Sequence, residues 1–109
     1  MATGRVANKI ALVTGAAAGL GRAIALRLSE EGASLVLADI DAAGLAETER
    51  QIKAHGRPVM AIAADVTEEA PVKALFAATF KAHGRLDILV NDVGGGTSGH
   101  IWEAKVEDW

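Results

Sequence analysis

Four short apolar runs punctuate the chain, at residues 10–13, 35–38, 59–63 and 86–90, the last interrupted by Asp87. Each has the length of a strand. Their apolar residues are nearly continuous rather than alternating, the pattern of strands covered on both faces, which occurs mainly in parallel sheets. Between the runs lie segments of helical period. In the third, Val72, Leu75, Phe76, Thr79 and Phe80 recur at i, i+3, i+4, i+7 and i+8, while Lys73 and Lys81 point elsewhere. Thr67 is its predicted N-cap, Pro71 falls in its first turns, and it ends at His83 before Gly84. The first predicted helix starts near Gly19 and ends near Gly32, with Leu20, Ile24 and Leu28 in one stripe. The second runs from about Ala42 to His55 and is followed by Gly56. Each helix is thus closed by a glycine suited to a left-handed cap, and His55 and His83 stand where a cation complements the helix dipole. The order β-α-β-α-β-α-β predicts an α/β fold, a Rossmann-like parallel sheet with right-handed crossovers.

A length of 109 residues allows one domain. We expect residues 1–109 to form a single, partial domain with a short lead at 1–8. Residues 94–109 read as a glycine-rich loop followed by an acidic first turn of a helix with no body, so the fold is expected to be truncated after the fourth strand. Half of the residues are apolar and the net charge is −3, without a basic stripe, which argues against nucleic acid and anionic membranes as partners. The absence of cysteine excludes disulfides, thiolate metal sites and cysteine nucleophiles. No metal site is expected. The polar N-terminus and the lack of any apolar run near the ~20 residues of a membrane span suggest a cytoplasmic protein.

The first strand runs into Thr14-Gly15-Ala16-Ala17-Ala18-Gly19-Leu20-Gly21, and the next helix begins inside that segment. Gly15 suits the tight turn leaving the strand. Gly19 lets main chain approach a pyrophosphate, and Gly21 lets the helix pack closely on the strand. The helix N-terminus adds free amides and the positive end of its dipole. Asp39 closes the second strand about 20 residues beyond the glycines, the distance at which a carboxylate takes the adenosine ribose hydroxyls. Its charge opposes a 2′-phosphate, and neither Ala18 nor Ile40 supplies a compensating cation, so NAD is expected in preference to NADP.

The three-residue gap between the first two glycines resembles the classical short-chain dehydrogenase/reductase family, whose Thr-Gly-x-x-x-Gly-x-Gly signature is matched by Thr14, Gly15, Gly19 and Gly21. The resemblance implies that Asp65 and Val66, after the third strand, hold the adenine. It implies too that Asn91 braces the sheet beside the cofactor. Asn91-Asp92-Val93-Gly94 stands where the family has Asn-Asn-Ala-Gly, so Asp92 and Val93 depart from the pattern. The expected cofactor-binding residues are Gly15, Ala17, Gly19, Leu20, Gly21, Asp39, Ile40, Asp65, Val66, Asn91, Val93 and Gly94.

By the same resemblance the chain represents the N-terminal, cofactor-binding half of an NAD-dependent oxidoreductase acting on an alcohol or ketone, a homo-oligomer in its complete form. The family's catalytic Ser, Tyr, Lys and Asn would all lie downstream, and the chain has no tyrosine. No catalytic residue is assigned, His100 reads as a solvated loop histidine, and the segment alone is expected to be inactive. The alternative is a catalytically silent NAD-binding or sensing module acting through partners. A phosphate-binding or receiver-type domain fits worse, because there is no Gly-Lys-Ser/Thr loop and no acidic pocket after the first strand.

Overall fold

The computed structural model describes residues 4–92. Val93, Gly94 and the rest of the glycine-rich loop and acidic stretch lie outside them. Strand β1 (Ile10–Thr14), helix α1 (Gly19–Glu30), strand β2 (Ser34–Asp39), helix α2 (Ala42–Ala54), strand β3 (Val59–Ala63), helix α3 (Glu69–His83) and strand β4 (Ile88–Asn91) follow one another as the apolar pattern predicts. The strands pair in parallel in the order β3-β2-β1-β4. Chain order therefore reverses between β1 and β4, and such a switch point is where parallel α/β sheets open a crevice at their carboxyl ends.

Successive residues of the inner strands face opposite layers. Ala11 and Val13 of β1 join Leu35 and Leu37 of β2 in one cluster, with Ala25 of α1 and Leu45 and Ile52 of α2. Leu12, Val36 and Ala38 point the other way, onto Leu75 of α3, Leu86 and Leu89. Both faces are covered, and for this reason the β1 and β2 segments read as unbroken apolar runs. Among the described residues β3 is an edge strand. Its residues are at most half-buried.

The structure corrects three sequence expectations. In α1 the buried residues are Gly21, Ala25 and Ser29, one position along from the expected stripe, and Leu20 is 50% exposed. The helix lies so close to the strands that small side chains fit beneath it, while Ile24 and Leu28 pack along its flank. In α3 the N-cap is Glu68 rather than Thr67, because Asp65 Oδ1 captures both the amide and the hydroxyl of Thr67, at 3.0 and 2.5 Å. Finally, the run at 86–90 begins its strand only at Ile88. Leu86 is fully buried ahead of it, and Asp87 turns back toward β1.

Asp87 Oδ2 accepts the Ile10 amide at 2.8 Å and Arg85 Nε at 2.9 Å, and Arg85 also donates to the Asn8 carbonyl. Partial burial pushes its carboxyl upward. The Ile10 amide and Arg85 outweigh that and leave it below the ordinary aspartate value. A depressed carboxyl stabilises the fold at neutral pH, and the contribution is lost as pH falls through the folded-state value. Asp87→Asn is expected to cost about 1–2 kcal/mol at pH 7, mostly through the charged bond to Ile10. The gap between the two proteins should narrow as the pH falls below the ordinary aspartate range. Urea titrations at a series of pH values measure it, and a gap unchanged down to the acid limit would contradict the assignment.

Candidate cofactor site

Parallel register brings the signature residues to one edge. Thr14 pairs with Ala38 on one side and Asn91 on the other, and Asp39 pairs with Ala63. The chain leaving each strand therefore emerges at the same end: the glycine loop after β1, Asp39 and Ile40 after β2, Asp65 and Val66 after β3, Asn91 and Asp92 after β4. Thr14 Oγ1 donates to Asn91 Oδ1 at 2.8 Å, tying the two sides of the switch point together. Asn91 is thereby bonded across to the neighbouring strand β1. Val93 and Gly94 lie beyond the described residues.

The three glycines do different work. Gly15 has φ +67, and a Cβ there would stand 1.7 Å from the Asp92 carbonyl oxygen, so it serves both the turn and the contact with the end of β4. A Cβ on Gly21 would stand 1.9 Å from the Gly15 carbonyl oxygen, which is the close helix-to-strand approach anticipated from the spacing. Gly19 is unlike both. Its φ is +57, yet a Cβ there would meet no atom of the described residues within 4 Å. The loop is filled on its inner side and open at Gly19, at the start of α1, where the helix presents amides and positive potential.

Asp39, predicted to take the ribose hydroxyls, is bonded to the loop itself. Its Oδ2 accepts the Ala17 amide at 3.0 Å and its Oδ1 accepts the Asp41 amide at 2.9 Å. A carboxylate oxygen has two lone pairs, so each retains capacity for a hydroxyl. Ile40, the next residue, is 71% exposed. Leu20, at the start of α1, is also exposed, so each presents apolar surface that water covers poorly. The Asp65 carboxyl is held below its ordinary value by the Thr67 hydroxyl and then the Thr67 amide, both on Oδ1. Its other oxygen has no partner among the described residues.

Two features escaped the sequence reading. Arg22 follows the last signature glycine, and its guanidinium turns inward: Nη2 donates to the Ala17 carbonyl at 2.5 Å and the Gly44 carbonyl at 3.1 Å, and Nε to Thr48 Oγ1 at 2.8 Å. Thr48, fully buried on α2, donates to the Ala16 carbonyl at 2.7 Å. Gly44, in the first turn of α2, was the visible signal, since a Cβ there would lie 2.7 Å from the Ala17 carbonyl oxygen. The other is the placement of Asp92, which the sequence marked only as a departure from the family pattern: its Oδ2 lies 3.2 Å from where a Gly21 Cβ would be, so its carboxylate stands against the positive end of α1. Among the described residues there is no group of three or more His, Cys, Asp or Glu that could hold a metal ion, and no helix is long and apolar enough to cross a membrane.

Comparison with known proteins agrees with this geometry. The family model for short chain dehydrogenase matches residues 9–109. The hydroxy(phenyl)methylsuccinyl-CoA dehydrogenase subunit BbsD of Thauera aromatica is 38% identical over 104 residues, spanning 95% of this chain and 42% of its own length. A short chain dehydrogenase/reductase from Burkholderia phymatum, solved in complex with NAD, superposes with a TM-score of 0.81 at 39% identity, over 95% of this chain and 37% of that one. Carveol dehydrogenase from Mycobacterium avium, also in complex with NAD, gives 0.82 at 36% identity, over 90% and 40%. The chain thus spans about two fifths of the length of these relatives.

Proposed function

This chain belongs to the short-chain dehydrogenase family, and from that premise we propose that it forms the NAD-binding region of an oxidoreductase acting on an alcohol or ketone. One observation carries the reading most directly. Gly15 and Gly21 have no room for a side chain, whereas Gly19, between them at a helix N-terminus, has no neighbour among the described residues where a side chain would begin. That arrangement fits the pyrophosphate of a dinucleotide, with the Asp39 carboxylate placed for the adenosine ribose hydroxyls and the exposed Ile40 and Leu20 for its flanks.

The coenzyme, when bound, supplies the hydride donor or acceptor. What the chain's own residues contribute is position: amides and a helix dipole for the phosphates, a carboxylate for the ribose, and a Thr14–Asn91 clasp that keeps the ends of β1 and β4 together. In this reading Asp65 and Val66 line the adenine side. Asn91, with Val93 and Gly94 after it, leads toward the nicotinamide side.

NAD is the preferred coenzyme in this reading, for a reason that includes Arg22. A 2′-phosphate on the adenosine ribose would bring close to two negative charges beside Asp39. The nearest guanidinium is committed to the Ala17 and Gly44 carbonyls and to Thr48. Like charges brought together at a binding site cost several kcal/mol, so calorimetric titration is expected to show NAD binding at least roughly 100-fold more tightly than NADP. Equal affinities would overturn the preference. Failure of the folded chain to bind either would overturn the coenzyme assignment itself.

A further inference from the structure

We propose that Arg22 and Thr48 are positioning residues that set the peptide planes of the glycine loop before any ligand arrives. The proposal rests on the coenzyme reading above for the identity of what the loop receives, but not for the geometry of the brace.

Two consecutive peptides of the loop are fixed from behind. The Ala16–Ala17 peptide is gripped at both ends, its carbonyl by the Thr48 hydroxyl at 2.7 Å and its amide by Asp39 Oδ2 at 3.0 Å. The Ala17–Ala18 peptide has its carbonyl drawn onto Arg22 Nη2 at 2.5 Å. No peptide bond among the described residues is cis. In a trans peptide the carbonyl and the amide point in opposite directions, so pulling the Ala17 oxygen toward Arg22 turns the Ala18 amide to the face of the loop opposite Arg22. An anion on that face would meet an N–H there. A flipped peptide would offer it a carbonyl.

A cation next to a phosphate-binding loop would ordinarily be assigned to the phosphate itself. Here the guanidinium spends three donor contacts on the Ala17 and Gly44 carbonyls and Thr48, and its charge stands behind the loop. Its planar fork matches this task, spanning two carbonyls and a hydroxyl at once, which a lysine ammonium on a flexible stem would not reproduce. Gly44 completes the arrangement, because its lack of a Cβ lets α2 come close enough for the same Nη2 to reach both carbonyls. Pre-set donors need no reorganisation when the ligand binds, and affinity benefits accordingly.

The test compares the ligand-free chain with its Arg22→Met and Thr48→Val variants by amide hydrogen exchange, then titrates each with NAD. In both variants the Ala17 amide is expected to exchange about tenfold faster or more, as the loop opens locally. The core amides of Val13 and Leu37, buried within β1 and β2 and bonded to neither Arg22 nor Thr48, should keep their relative protection. NAD affinity should fall by about tenfold or more. Arg22→Lys should recover only part of the loss and Thr48→Ser most of it. Because the two residues act through one network, the double variant should lose less than the sum of the singles.

Unchanged exchange at Ala17 would overturn the proposal. So would a variant that binds NAD within a factor of two of the parent chain, or a parallel rise at Val13 and Leu37, which would mean global loosening. If the parent chain shows the exchange pattern but takes no NAD, the coenzyme reading fails while the brace stands.

Discussion

Replacing Gly21 by alanine is expected to destabilise the fold by about 3 kcal/mol or more, the upper range of overpacking costs. In a free helix the same change would gain about 1 kcal/mol, because alanine is the better helix former. The sign reverses here because the new methyl would sit 1.9 Å from the Gly15 carbonyl oxygen and 2.7 Å from its carbon. Those are main-chain atoms, held by the turn that leaves β1 and by the contact of Gly15 with Asp92, so they cannot move aside as a side chain would. Helix α1 would have to lift off the sheet, separating Ala25 from its cluster with Val13 and Leu35. Thermal denaturation should show a fall of roughly 10 °C or more for a domain of this size.

Gly19→Ala is the informative partner. Its cost to the fold is that of a left-handed conformation at φ +57, about 1–2 kcal/mol, since the methyl meets no neighbour among the described residues. Yet that methyl enters the space assigned to the pyrophosphate, so NAD binding should be lost from a protein that remains folded. If Gly21→Ala melted like the parent chain, the close approach of helix and loop would be disproved.

The second large effect is expected at Asp39. Changing it to asparagine keeps one oxygen able to accept the Ala17 or the Asp41 amide, so the fold should survive with a loss of about 1 kcal/mol. The ribose hydroxyls, however, lose a charged acceptor, and hydrogen bonds to charged groups contribute about 1.5–3 kcal/mol. NAD affinity is therefore expected to fall about 10- to 100-fold. NADP should suffer less, because the like-charge repulsion is removed, and the ratio between the two coenzymes should narrow. Calorimetry on both ligands reads the affinities, with a melting curve to confirm folding. An NAD affinity within a factor of two of the parent would remove Asp39 from the ribose site.

How much of this was readable from the chain differs between elements for physical reasons. β1 and β2 were plain because they are buried on both faces and their residues are almost wholly apolar. β4 was set two residues early, since Leu86 is as buried as a strand residue without being one, and the chain straightens only after Asp87 has bonded back to Ile10. The face of α1 was misread because its buried residues are glycine, alanine and serine, selected for small size, which no hydrophobic stripe registers. The Thr67 cap was lost because Asp65 Oδ1 accepts both the amide and the hydroxyl of Thr67, which holds that residue in the turn before the helix.

The signature glycines and Asp39 were legible because their task dictates residue type and spacing together. Arg22 and Thr48 were not, because their partners are carbonyl oxygens, which every residue carries and which leave no mark on the letters. Only Gly44, a glycine inside a helix, hinted that main chain passes close by.

The clasp between the first and the last strand in chain order has a consequence for how the protein is made. Thr14 to Asn91 and Ile10 to Asp87 are both bonds across 77 residues. During translation at about 5–20 residues per second, the first strand waits roughly 4–15 s for its neighbour to be synthesised. Until then the loop that follows it lacks one of its walls. The nascent chain consequently reaches the ribosome exit with a sheet flank uncovered and no finished receptacle for coenzyme, so chaperone protection matters most in that interval, and dissolved NAD can aid folding only once the late strand has docked.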